Sequence, residues 1–286
     1  MRGGRKNFSM EIDIPLLQGL SLKISDTHLD QKAYPTGRLQ KGFVLLDHGQ
    51  ELAEEAVGFG VPVLKKGLQT IFPGEVALTW LRRGSTWEIT AQFHLDLVEK
   101  ISRAGNKNVE NSLLYAVKNF MAEVIRRVPT LRSLLTTTSS QLRRLFNWET
   151  TYAEAGFSTT VEMLTIIEGE MGKVSVEIDT SGLPPDISEV VVMNEQGART
   201  FDRYLEPSGI SLQGKEIGCW DEVNAEEAWF ESSTRQVRFR LRQVEGTRLF
   251  RGRELIPPRL AWAGFGYSFV PPNQRFRYVM RIERIT

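Results

Sequence analysis

Residues 236–243 read QVRFRLRQ, so apolar and charged side chains alternate with a period of two residues. Successive side chains of an extended chain point to opposite faces, which places Val237, Phe239 and Leu241 together on one face. Arg238, Arg240 and Arg242 lie on the other face. This pattern predicts a β-strand with one buried face and one ladder of arginines.

Comparable strands are predicted over most of the chain. Residues 86–98 (TWEITAQFHLDLV) repeat the alternation over a longer stretch. Short alternating or apolar runs, separated by glycine and proline, fill residues 10–102 and resume from Tyr152 onward. Sandwiches and barrels often exceed 200 residues as one domain, so we expect a single domain over residues 10–286. The predicted fold class is mainly β, a large antiparallel β-sandwich.

Residues 107–147 are the exception, because apolar residues recur there at every third or fourth position. Such a stripe is typical of an amphipathic helix. Asn108 is a suitable N-cap, Pro129 ends the first helix, and Thr130 can cap a second one. The pattern predicts a two-helix hairpin inserted near the middle of the sandwich.

Charge is sorted along the chain, although the formal net charge is only +1. Residues 103–144 carry eight Lys or Arg against two Asp or Glu, and residues 149–231 carry four against eighteen. Residues 235–286 carry twelve arginines against three glutamates. The simplest interpretation is that acidic strands and arginine-rich strands are partners in the sheet.

The composition excludes several classes of protein. Cys219 is the only cysteine, so neither an intrachain disulfide nor a zinc site of thiolates can form. No apolar run approaches the roughly 18 residues that a bilayer-spanning helix needs. Residues 1–9 lack the apolar segment of a secretory signal, and we expect them to be a disordered extension. These features favour a cytoplasmic protein, and we expect no cofactor.

The three histidines each have an aspartate nearby in the sequence. They are His28, His48 and His94. Side chains on the same face of a strand lie about 6.8 Å apart, which is too far for two of them to share one small ion. The sequence leaves open whether the three histidines converge from separate strands. The simpler interpretation is that they face solvent or form hydrogen bonds, so we predict no metal site.

Residues 218–222 (GCWDE) form the densest cluster of aromatic and acidic residues. The Trp220 ring could stack on the apolar face of a pyranose, and the carboxylates could accept hydrogen bonds from its hydroxyls. Asp221 and Glu222 could also act as an acid–base pair on a glycosidic bond. We take them, with His48, as candidate catalytic residues. The alternative is that Trp220 belongs to the core and the acids to a solvated loop.

A second cluster combines arginines with aromatic residues. Arg251, Arg253, Trp262 and Tyr267 are the candidates for binding a substrate, because arginine beside an aromatic ring suits anionic sugars and carboxylates. The alternative is that the arginines form ion pairs with the acidic residues earlier in the chain.

These observations support a carbohydrate-handling protein as the first hypothesis, with a saccharide as ligand. The size and the many short strands resemble the large sandwiches of carbohydrate-active proteins such as the galactose mutarotase-like group, which is a similarity of fold only.

The second hypothesis is a non-enzymatic interaction protein, in which the helical hairpin or the arginine ladder docks an acidic partner or another copy of the chain. Nucleic-acid binding through the basic hairpin is the third and is disfavoured by the near-neutral isoelectric point of about 7.8. Membrane binding is not expected.

Overall fold

The computed structural model describes residues 10–26, 39–103, 148–256, 260–271 and 275–285. Within these ranges the chain is almost entirely antiparallel β-structure, as the sequence predicts, and its helical segments are the 3-10 turns Gly169–Met171 and Gly214–Ile217. No helix in the described ranges has the length and hydropathy to cross a bilayer. The two-helix hairpin predicted over 107–147 and the extension predicted over 1–9 lie outside the described residues.

The strands in chain order are β1 Glu11–Pro15, β2 Leu20–Ser25, β3 Val44–Asp47, β4 Gln50–Glu51, β5 Phe59–Lys66, β6 Gln69–Arg83, β7 Thr86–Arg103, β8 Trp148–Glu168, β9 Lys173–Asp179, β10 Glu189–Gly197, β11 Arg203–Leu205, β12 Ser211–Gln213, β13 Asp221–Glu222, β14 Glu227–Ser232, β15 Val237–Arg242, β16 Arg248–Ile256, β17 Leu260–Phe269 and β18 Arg275–Arg284. They form a small sheet in the order β1-β2-β3-β4. The other strands form a large sheet in the order β12-β11-β14-β15-β18-β9-β8-β7-β6-β5-β10-β17-β16-β13.

The large sheet folds back on itself, so that strands far apart in its order pack face to face. Phe59 of β5 meets Phe239 of β15 edge-on, with ring centroids 5.0 Å apart. Phe265 of β17 meets Phe230 of β14 in the same way at 4.9 Å. All four rings are buried in one shared core. Two layers of antiparallel strands that enclose a common apolar core constitute a β-sandwich.

The strand predicted from residues 236–243 is β15, and the structure confirms its two faces. Val237, Phe239 and Leu241 are fully buried. On the other face the arginines pair with glutamates of the neighbouring strands. Arg238 lies 3.0 Å from Glu283 of β18. Arg242 lies 3.2 Å from Glu227 of β14, within the acidic block. The arginines of the ladder therefore form ion pairs within the sheet, with glutamates of both neighbouring strands.

The two edges of the large sheet meet. The strands β12 and β13 lie at opposite ends of the sheet order, yet only the 3-10 turn Gly214–Ile217 and a few residues separate them in the chain. The Arg251 guanidinium of β16 lies over the Tyr204 ring of β11, 4.7 Å from its centroid. It also donates a hydrogen bond to the Ile217 carbonyl at 3.3 Å. These contacts close the sandwich and fix the position of β13.

Candidate functional site

Three glycines leave one face of the layer formed by β10, β17 and β16 without side chains at its centre. Gly252 of β16 pairs with Gly264 of β17, which in turn pairs with Glu195 of β10. Gly266 lies two residues along β17 and therefore on the same face. We call this surface, with Gly252, Gly264 and Gly266 at its centre, the glycine face.

Two tryptophans lie against the glycine face. The rings of Trp220 and Trp262 are stacked, with centroids 5.2 Å apart and planes inclined by 30°. A side chain on Gly252 would collide with the Trp262 ring, and one on Gly266 would collide with the Trp220 ring. Trp262 is 7% exposed, whereas Trp220 is half-buried and has a backbone φ of 60°. The glycines thus make room for the indoles, and Trp220 is the outer ring of the pair.

Two carboxyl groups accompany the rings. Glu254 accepts a hydrogen bond of 3.3 Å from the Trp262 indole nitrogen. Glu195 is 2% exposed, and its Oε1 has no hydrogen-bond partner among the described residues. The pKa of Glu195 is raised to about 8, chiefly by burial and to a smaller extent by the Glu254 charge, while the hydrogen bond from the Val57 amide opposes the shift. Glu195 is therefore protonated at neutral pH and can donate a hydrogen bond, whereas a carboxylate can only accept.

Of the predicted catalytic acids, Asp221 and Glu222 form the short edge strand β13 beside this face. The Asp221 carboxylate lies against Gly218 and 3.7 Å from the Arg251 guanidinium. Glu222 is exposed, and its backbone carbonyl accepts a hydrogen bond from Arg251 at 3.4 Å. The structure thus gives Asp221 a role in holding Arg251 and leaves the Glu222 carboxylate at the rim.

The two predicted substrate-binding arginines are engaged inside the protein. Arg251 closes the sheet edges, as described above. Arg253 donates two hydrogen bonds to the Ala198 carbonyl, at 2.8 and 3.2 Å. Partial burial lowers the pKa of Arg253, although the charges of Asp202 and Glu54 act in the opposite direction. Both guanidinium groups thus make internal contacts. Arg251 lies beside the Asp221 carboxylate, whereas Arg253 binds a backbone carbonyl.

The remaining candidates lie elsewhere. Tyr267 is fully buried in the core, where its hydroxyl donates to the Arg242 carbonyl. His48 is at the turn between β3 and β4 in the small sheet, where its ring covers Gly19 and lies 3.9 Å from Asp47. His94 is on β7, and His28 lies outside the described residues. In the described part of the chain, no group of three or more potential metal ligands comes together. The structure therefore brings Trp220 and Trp262 together, but places neither His48 nor Tyr267 with them.

The sequence analysis missed Glu195 and Glu254. Glu195 lies between Asn194 and Gln196, directly after the apolar run VVVM at 190–193, which is an unusual position for a carboxyl group. The spacing Trp262, Gly264, Gly266 was visible as a period of two, with one large and two minimal side chains on the same face. Together these signals could have indicated a glycine-lined face beside a buried acid.

Comparison with known proteins gives no match by sequence, since neither a protein-family model nor a curated protein matches the chain. Among solved structures, the chain is similar to the alpha-N-acetylgalactosaminidase NagBb from Bifidobacterium bifidum, a quadruple mutant, with a TM-score of 0.48 and 12% identity over 96% of this chain. It spans 36% of the length of that protein. It is also similar to a galactose mutarotase-like protein from Clostridium acetobutylicum, with a TM-score of 0.37 and 9% identity over 93% of each chain. At these scores we infer the function from the site alone.

Proposed function

We propose that the protein binds a saccharide on the glycine face, with Trp220 as the stacking surface. The observation that supports this most directly is the half-buried Trp220 ring, held against Gly266 and stacked on Trp262. An indole fixed in this way offers a flat apolar surface whose conformational entropy has already been lost. The apolar face of a pyranose ring is complementary to such a surface.

The carboxyl groups add both kinds of hydrogen-bonding capacity. Glu254 and Glu222 would accept hydrogen bonds from sugar hydroxyls, since an ionised carboxylate is an acceptor only. Protonated Glu195 would donate a hydrogen bond to a sugar oxygen if the residues that cover it move and the ligand contacts its carboxyl group. Asp221 would act indirectly, by holding Arg251 and with it strand β13. The proposal concerns saccharide binding. Any catalysis on the bound saccharide would have to use these same carboxyl groups.

Replacing Trp220 tests the proposal. We expect Trp220→Ala to weaken saccharide binding at least about tenfold, because the stacking surface is lost. The measurement is isothermal titration against a panel of mono- and oligosaccharides, with thermal shift as the first screen. Trp229→Ala is the matched control, because Trp229 is a half-buried tryptophan on β14, in the opposite half of the sheet order.

Two outcomes contradict the proposal. One is that the unmodified protein binds no member of the panel. The other is that Trp220→Ala and Trp229→Ala weaken binding equally, because the loss would then reflect general destabilisation. Glu254→Gln provides a second test. We expect it to reduce the affinity less than Trp220→Ala does, and only for saccharides whose hydroxyls face the carboxylate.

A further inference from the structure

The second half of strand β6 is an edge of the large sheet. β6 pairs with β5 only through the hairpin residues Gln69, Thr70 and Ile71. From Glu75 to Arg83 its pairing within the described residues is with β7 alone. Alternate residues of this nine-residue segment therefore direct their backbone N–H and C=O groups away from β7, toward a side that no other described strand occupies, which is a template for another strand.

This edge lacks most of the features with which proteins usually protect such strands. Edges are normally short, or carry proline, bulges or charged side chains, especially lysine, and the charges of this segment are confined to its ends. The proline and the register shifts of β6 lie before the edge, at Pro73, and residues 75–83 (EVALTWLRR) contain no proline, glycine or lysine. Two large apolar side chains are also exposed here, Trp80 at 52% and Leu81 at 46%. An extended apolar edge of this kind is a pairing site.

The edge is complementary to itself in one antiparallel register. If two copies pair about a twofold axis through Thr79, Glu75 lies opposite Arg83 of the other copy. Leu78 then lies opposite Trp80, and Ala77 opposite Leu81. The ends of the paired segment therefore carry opposite charges and its centre carries apolar pairs, which are favourable cross-strand combinations. Threonine pairs with threonine on the axis itself.

The two faces of the edge also agree with this register. Leu78 is 7% exposed and belongs to the core cluster, while Trp80, on the same face, contacts Trp87 with ring centroids 5.4 Å apart. Pairing would bring Leu78 of the second copy over the exposed part of Trp80. Trp80 would then be buried in the dimer, as Leu78 on the same face already is in the single chain.

We propose that the chain forms a twofold dimer in which the β6 edges of two copies pair antiparallel about Thr79, so that one sheet continues through both. An isologous interface of this kind closes on itself and leaves no further edge of β6 exposed. The interface is distinct from the glycine face, so the two proposals stand independently.

Cysteine cross-linking tests the register. In a Cys219→Ser background, Thr79→Cys places the two thiols opposite each other across the axis, where the Cα atoms of paired residues lie about 4.5 to 5.5 Å apart. That separation suits a disulfide, and we expect oxidation to give a covalent dimer in most of the protein. Ala77→Cys is the control, because its two copies would lie about 14 Å apart along the strands and cannot be bridged.

Charge reversal tests the contacts. We expect Arg83→Glu to raise the dissociation constant of the dimer about tenfold, because it places like charges opposite each other at both ends. The double variant Glu75→Arg/Arg83→Glu should restore the original dissociation constant, since each pair again has opposite charges, with their positions exchanged. Light scattering coupled to size exclusion over a range of concentrations measures both. A protein that stays monomeric at high concentration, or a dimer in which Thr79→Cys does not cross-link, would overturn the proposal.

Discussion

At the scale of the residue, Glu195 shows how burial changes the chemistry of one carboxyl group. It is 2% exposed between the buried residues Asn194 and Gln196, and the Val57 amide donates a hydrogen bond to it. One partner does not replace the water that an ionised carboxylate loses, so the protonated form is favoured. The group is therefore an acid at the pH where an ordinary glutamate is a base.

This has a measurable consequence for stability. The pKa of Glu195 is raised from 4.5 to about 8 in the folded protein, so the folded state keeps a proton that the unfolded state has already lost. The free energy of unfolding therefore decreases as the pH rises between 4.5 and about 8, by about 1.4 kcal/mol per pH unit in this interval. The Glu195→Gln side chain does not titrate. The free energy of unfolding of this variant, relative to that of the unmodified protein, should therefore increase with pH over the same interval.

Urea unfolding at several pH values measures this difference. The control is Glu222→Gln, which also removes one carboxyl group but from an exposed position, so that the difference between the two variants isolates the effect of burial. A Glu195→Gln variant whose stability follows that of the unmodified protein at every pH contradicts the assignment of a protonated Glu195.

At the scale of the element, β16 and β17 are ordinary strands except where they carry glycine. The glycines at 252 and 266 are required by what lies above them, because a Cβ at Gly252 would come within 2.7 Å of the Trp262 ring and 2.9 Å of the Trp220 backbone nitrogen. Two indoles can lie on a sheet only where the sheet has no side chains. The strands thus lose some intrinsic stability at these positions and gain an aromatic surface.

Gly252→Ala should therefore destabilise the protein by about 1 to 3 kcal/mol, because the added methyl group forces the indoles away from the strand. Chemical denaturation gives the free energy, and near-ultraviolet circular dichroism reports whether the tryptophans have moved. Gly182→Ala is the matched control, since a Cβ there has open space and its φ needs no glycine. Equal effects of the two substitutions would show that Gly252 is not held by the indoles.

At the scale of the whole molecule, one buried side chain joins the two sheets. Gln196 of β10 accepts a hydrogen bond from the Leu45 amide at 3.1 Å and donates one to the Phe43 carbonyl at 3.2 Å. Phe43 also exchanges two backbone hydrogen bonds with Phe59 of β5, at 2.9 and 2.7 Å. The small sheet is therefore attached to the large one through polar groups that have no access to water.

Gln196→Leu should lower the free energy of unfolding by about 1 to 3 kcal/mol, because it leaves the buried Leu45 N–H without its side-chain partner and removes one of the two hydrogen bonds to the Phe43 carbonyl. Hydrogen exchange should show the amides of β1 to β3 losing protection first, while those of β8 and β9 stay protected. Gln92→Leu is the control, because Gln92 is exposed and its side chain donates a hydrogen bond to Glu162 at the surface. Uniform loss of protection over both sheets would contradict the local role of Gln196.

The prediction from sequence succeeded where a local period was sufficient. The alternation of 236–243 identified the buried and charged faces of β15, and the sorting of charge anticipated its pairing with the acidic strand β14. It did not identify Tyr267 as a core residue, and it could not name the partners of Arg251, which belong to three separate segments. These outcomes depend on which strands meet, and that information is not contained in a window of eight residues.

The sequence by itself therefore determined the strands, their inward faces and the signs of charge that each strand presents. The tertiary structure decided that the sheet closes on itself, that Trp220 and Trp262 stack over glycines, and that Glu195 is buried beside Glu254. The physical reason is that a period of two follows from backbone geometry within one strand. The position of a strand in a sheet depends on contacts between residues distant in the chain, whose combined packing and burial select one arrangement among many.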